Sequence, residues 1–237
     1  MTKRHYLPGS KMAGLLSDHY NVFLLVFNLG MHLGTGEKTV AEVCREENID
    51  LESFLVLVHF ILDDDGKDSP AAIADLDASL LIRFLKNSHV YFLDYRLPQI
   101  GQKLEETLEA APKDIRVVIR KFFEEYSGEV HRHMAYENDV VFPYVEQLLE
   151  GNPSKSYSIS IFEKKHDQVE LKMVELKNIL IKYYKGDFNP ALNNFLHELY
   201  TCGEELKLHN AIEDRLFVPA IAAIEQSLKE EDHYDRI

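Results

Sequence analysis

HMAYENDVVFPYV, running from His133 to Val145, aligns without a gap to HNAIEDRLFVPAI, running from His209 to Ile221. In each copy a glutamate follows the histidine by four residues (Glu137 and Glu213), and Phe142-Pro143 in one matches Val218-Pro219 in the other. The offset is 76 residues, and two further histidines, His89 and His166, are 77 apart. The chain from residue 72 onward therefore reads as a helical hairpin followed by its own copy.

Around this repeat, four long helical patterns run over residues 72–110, 113–149, 157–186 and 190–230. Their breaks are Ala111-Pro112, Gly151-Asn152-Pro153 and Gly186-Asp187-Phe188-Asn189-Pro190, each carrying residues that stop a helix. Pro98 is expected to kink or interrupt the first. Four long helices with short joins predict an all-α, up-down-up-down four-helix bundle. Upstream, Leu62-Asp63-Asp64-Asp65-Gly66-Lys67-Asp68-Ser69-Pro70 is an acidic linker. It separates a small helical N-terminal domain, residues 1–68, from the bundle, residues 72–230. Helices are expected in the small domain at 11–28, 38–47 and 51–62, with Gly30, Gly34 and Gly36 in a turn and Asp50 as an N-cap.

Residues four apart share one face of a helix, so His133 points with Glu137, and His209 with Glu213. That face is apolar. Phe123, Tyr126, Val130, Met134, Val141 and Tyr144 form the stripe around the first pair; Leu206, Leu216, Phe217 and Ala220 surround the second. His89 falls in the run Leu81, Leu85, His89, Phe92, and His166 in the run Phe162, His166, Val169, Met173. Each bundle helix thus turns one imidazole toward the core, and two of them add a carboxylate.

Carboxylates buried without partners cost several kcal/mol each, so these should be paired or bound to metal. Mixed imidazole and carboxylate suits iron, manganese or zinc. Two six-coordinate irons offer about twelve positions. Four histidines and two bridging glutamates fill about eight of these, and an oxo or hydroxo bridge takes about two more. About one position per metal then stays open for water or a small diatomic ligand. One HxxxE on a helix would carry little weight; two copies in register, each served by a histidine on the preceding helix, carry a good deal. The remaining histidines (His5, His19, His32, His59, His131, His197, His233) have no such spacing and read as surface or ordinary core.

The composition removes other classes. A formal net charge of −14 opposes binding to phosphate backbones. Residues 1–75, where TVAEVCREENIDLESFLVLVHF could pass for a helix-turn-helix, hold six Lys/Arg against twelve Asp/Glu. Nucleic acid is not an expected partner. No apolar run is long enough to span a bilayer, and the start MTKRHYLPGS has no secretory pattern. With two distant cysteines, Cys44 and Cys202, no disulfide framework is expected, and the expected location is the cytoplasm.

At His89, HMAYE and HNAIE the sequence resembles the hemerythrin-like HHE cation-binding family, and within it the di-iron proteins that repair iron centres (the RIC family). The resemblance implies a small N-terminal domain before a bundle with four histidine and two bridging glutamate ligands. Those would be His89, His133, Glu137, His166, His209 and Glu213, holding two iron ions per chain. It also implies a role in iron–sulfur cluster repair under nitrosative or oxidative stress. GEKTVAEVCREENIDLESFL resembles the family's small domain, but the adjacent cysteine pair usual before its Gly-rich turn is missing, and the stretch reads Phe27-Asn28-Leu29-Gly30-Met31-His32. Three readings stay open: repair of iron–sulfur client proteins, a hemerythrin-like binder or sensor of O2 or NO without turnover, and a helical interaction protein with a vestigial site.

Overall fold

The computed structural model describes residues 6–63, 73–109, 111–152, 154, 156–162, 167–184 and 186–234. The helices are α1 (Met12–Asp18), α2 (Val22–Asn28), α3 (Val40–Glu46), α4 (Leu51–Asp63), α5 (Ala78–Val90), α6 (Leu97–Leu108) and α7 (Lys113–Tyr136). They continue as α8 (Phe142–Leu149), α9 (Asp167–Tyr183), α10 (Pro190–Ile212) and α11 (Val218–Tyr234). Among the described residues the only extended pairing is one isolated bridge, Lys11 to Thr39. The described residues are all-α, as expected, and no described helix is long and apolar enough to cross a membrane.

Among the described residues, three segments have a turn wider than the α-helical one. Tyr91–Arg96 between α5 and α6, Glu137–Val141 between α7 and α8, and Glu213–Phe217 between α10 and α11 are π-helical. In each, the next residue's N–H reaches back five positions: Leu97 to Phe92, Phe142 to Glu137, and Val218 to Glu213. A proline stands immediately after that residue every time: Pro98, Pro143 and Pro219. Proline has no N–H and clashes with the carbonyl one turn below. A wider turn relieves that clash and moves the gap in the bonding ladder to the same place. Pro98 was expected to kink or interrupt the first helix, and the α-helical period is interrupted just before it by Tyr91–Arg96.

The chain packs as two compact units. One comprises residues 89–144 and 160–210. Its core takes one stripe from each of four helical runs. They are Phe92, Leu97, Ile100 and Leu104; Ile119, Phe123, Tyr126, Val130 and Met134; Val169, Met173, Leu176 and Leu180; and Leu192, Phe195, Leu199, Cys202 and Leu206. Spacings of three and four residues keep each stripe on one face. Inside this core Arg96 is nearly buried and joins the first run to the fourth. Its Nη1 lies 2.6 Å from Glu198 Oε2 and its Nε 2.8 Å from Glu205 Oε2. Lys103 also binds Glu198, and Tyr91 donates its hydroxyl to Glu205 at 3.3 Å.

The other unit comprises residues 1–88, 145–159 and 211–237. Its core includes Leu15, Val22, Leu25, Val40, Cys44, Phe54, Leu57, Leu81 and Leu85. Thr39 and Glu42 form a reciprocal cap on α3, and Asp50 accepts from Ser53 N at 2.8 Å, the expected N-cap of α4. Gly30, Gly34 and Gly36 all take positive φ, which the turn requires and a β-carbon would oppose. The helix expected over 11–28 is instead two, α1 and α2, parted at His19–Asn21. The helix expected to begin near 72 is helical at residues 73 and 74, breaks at 75–77 and resumes at Ala78, where Asp77 accepts from the backbone N–H groups of Ser79 and Leu80. The α-helix expected over 157–186 is described only for Asp167–Tyr183, preceded by a 3-10 turn at Ile159–Ile161. The linker expected at 62–70 falls mostly outside the described residues.

The Arg96 network sets a stability prediction. The Arg96 side chain is 7% exposed and its two carboxylate partners are about a quarter exposed. Arg96→Ala should therefore cost about 3 kcal/mol, the lower end for breaking a buried pair. Arg96 first, then Lys103, hold the Glu198 carboxyl below its ordinary value of 4.5. A lowered carboxyl pKa contributes stability that is complete above 4.5 and lost as the pH falls below it. Urea unfolding between pH 3 and 7 should show the parent losing stability below about pH 4.5, and Arg96→Ala losing less of it there. Parallel acid limbs would remove the pairing from the account.

Candidate metal centre

Glu137 and Glu213 have no exposed surface, and His89, His133 and His209 are 1%, 8% and 2% exposed. A carboxylate in such surroundings needs a charge partner or a cation. The local sequence puts them there. His133 closes α7 on the face that carries Tyr126 and Val130, and Glu137 opens the π-helical turn that follows. His209 lies near the end of α10 on the face of Cys202 and Leu206. Glu213 opens the equivalent turn one step along the same helical run. His89 sits in the last turn of α5, two residues before the first π-helical segment.

His89, Glu137 and His209, all in the unit of residues 89–144 and 160–210, each offer a ligand atom, and these atoms lie within 4.8 Å of one another. His133 joins them through Glu137. Its Nε2 is 2.9 Å from Glu137 Oε1, while His89 Nε2 is 2.9 Å from Glu137 Oε2. The two oxygens of one carboxylate thus face two different imidazoles. Neither oxygen is aligned for a hydrogen bond with a partner among the described residues, despite these short separations. Close approach without alignment is what donor atoms show when they converge on a shared point rather than on each other. This set of nitrogen and oxygen donors fits a cation of the iron, manganese or zinc kind.

Aromatic rings hold the imidazoles in place. His133 stacks on Phe162 with centroids 6.5 Å apart and ring planes 8° from parallel. His89 packs against Phe142 at 5.3 Å, and Phe92 meets His209 edge-on at 5.8 Å. The His89 and His209 rings are themselves 5.3 Å apart. Of the six expected ligands, five are described: His89, His133, Glu137 and His209 lie together in one unit, and Glu213 is fully buried in the other; His166 is outside the described residues. His131 is exposed and bonded to the Ser127 carbonyl at 2.8 Å, off the site as its spacing implied.

Sequence reading missed Asn138, whose Oδ1 lies 3.0 Å from His89 Nδ1. It also missed the three π-helical turns beside the ligands. The recurring proline was the available signal for these, since Pro143 and Pro219 occupy one position of the repeat. Both thiols are structural. Burial pushes Cys44 and Cys202 up to about 12, so neither is a thiolate at neutral pH.

A cation held here should stabilise the folded chain by mass action, by about 2.7 kcal/mol at a hundredfold excess over Kd. Ferrous iron added anaerobically should raise the melting temperature of the parent, and Glu137→Ala should lose most of that rise. An equal rise in both proteins would take Glu137 out of the site.

A family model, the hemerythrin HHE cation-binding domain, matches residues 80–221. The match covers more than half of the 237 residues, and the chain belongs to this family. No curated protein matches the chain.

Proposed function

We propose that this member of the hemerythrin HHE family is a non-haem di-iron protein of the RIC type, acting in repair of iron–sulfur clusters under nitrosative or oxidative stress. His89, His133, His166 and His209 would be terminal ligands to two irons, and Glu137 and Glu213 would bridge them. The observation that carries the reading is the Glu137 carboxylate, with one oxygen 2.9 Å from each of two imidazoles on separate helical runs. A carboxylate turned that way can serve two metal ions at once, and the repeat assigns the same task to Glu213. Bound iron would supply redox-active positions for a small ligand such as O2 or NO. The protein's own part is to hold the donors, keep bulk water out with Phe92, Phe142 and Phe162, and fix the imidazole planes.

One observation favours a second reading, a binder or sensor of O2 or NO without turnover. The chain lacks the adjacent cysteine pair at Phe27–His32, and its two thiols are buried with raised pKa values. Chemistry that needs an accessible thiolate is therefore closed to it.

The two readings part in one assay. Under repair, iron-loaded protein mixed anaerobically with an apo-ferredoxin and sulfide should restore the cluster absorption faster than free ferrous iron at equal concentration. No acceleration, together with a reversible spectral change on exposure to NO or O2, would replace repair by sensing.

A further inference from the structure

The π-helical turn at Glu137–Val141 does more than accommodate Pro143. A turn closed by an i→i−5 bond holds more residues than the 3.6 of an α-helix, so neighbouring side chains are rotated less from one another. Glu137 and Asn138, adjacent in sequence, can then both turn toward His89. The separations agree: Glu137 Oε2 is 2.9 Å from His89 Nε2, and Asn138 Oδ1 is 3.0 Å from His89 Nδ1. One imidazole thus has an oxygen close to each of its nitrogens, from consecutive residues of a single turn.

We propose that Asn138 is the positioning residue of His89, its amide oxygen accepting the Nδ1 proton so that the Nε2 lone pair is directed into the site. An amide oxygen only accepts, so the imidazole nitrogen facing it must donate. That fixes the neutral ring with its proton on Nδ1. The reverse amide orientation would place the proton on Nε2, pointing at Glu137. Yet Glu137 Oε2 is not aligned to receive it. Partners at the outer nitrogen of a ligating histidine set its orientation and raise its basicity. The inference rests on the metal-binding reading above and adds to it how one ligand is tuned. Asn138 itself is more than a third exposed, so water can partly replace its amide when it is removed. A loss of affinity of about tenfold is therefore expected, the low end for such partners.

The test uses the full chain, anaerobically, with ferrous iron competed against a chromogenic chelator, for the parent, Asn138→Ala and Asn138→Asp. Melting curves without metal establish that each variant folds. Asn138→Ala should bind iron about tenfold more weakly and shift the near-ultraviolet absorption of the oxidised form. Asn138→Asp, which keeps an acceptor and makes it stronger, should bind at least as tightly as the parent and lower the reduction midpoint. A twofold or smaller change in Asn138→Ala, or an Asn138→Asp that behaves like Asn138→Ala, overturns the assignment. If the parent itself binds no iron, the failure lies in the metal-binding reading and not in Asn138 alone.

Discussion

Glu137 and Glu213 are carboxylates without exposed surface in a helical protein, and the rest of the site answers to that constraint. Ionised groups in such a place cost several kcal/mol each unless something compensates. The imidazoles of His89 and His133 stand 2.9 Å from Glu137, but not in hydrogen-bond alignment with it. The Glu137 carboxylate thus stands among nitrogen donors in a way that a cation would complete. Metal binding and folding free energy are linked in such a design.

The repeat explains how the donors are delivered. Each HxxxE pair comes from one sequence copy, and each copy continues into a π-helical turn capped two residues later by a proline. A strictly α-helical run turns each residue by about 100° from the one before it, and a wider turn by less. The wide turn instead lets Glu137 and Asn138 address one imidazole. Away from the site, Arg96 leaves the first π-helical segment to pair with Glu198 and Glu205. Irregular helix geometry is therefore used in this chain both for ligand placement and for a buried ionic link.

Much of this was legible in the residues. Apolar spacings of three and four located the long helices, and the 76-residue offset located His133, Glu137, His209 and Glu213 and implied that they face inward. His89 followed from its place in an apolar run. What escaped was whatever breaks the 3.6-residue period by a single position. One extra residue in a turn barely disturbs a hydrophobic stripe, so the π-helical segments left no trace except their prolines. Asn138 was hidden for the same reason, since an α-helical reading rotates it away from Glu137. The parting of α1 from α2 at His19–Asn21 was missed because that stretch carries neither glycine nor proline.

The most direct test of a dinuclear centre is the iron content of the full chain after anaerobic reconstitution with ferrous iron and removal of excess metal. About two tightly held irons per chain are expected from the donor count, with near-ultraviolet bands of an oxo-bridged pair appearing on oxidation. Iron well below one per chain with a featureless spectrum would contradict the account, leaving the buried carboxylates as a structural network alone.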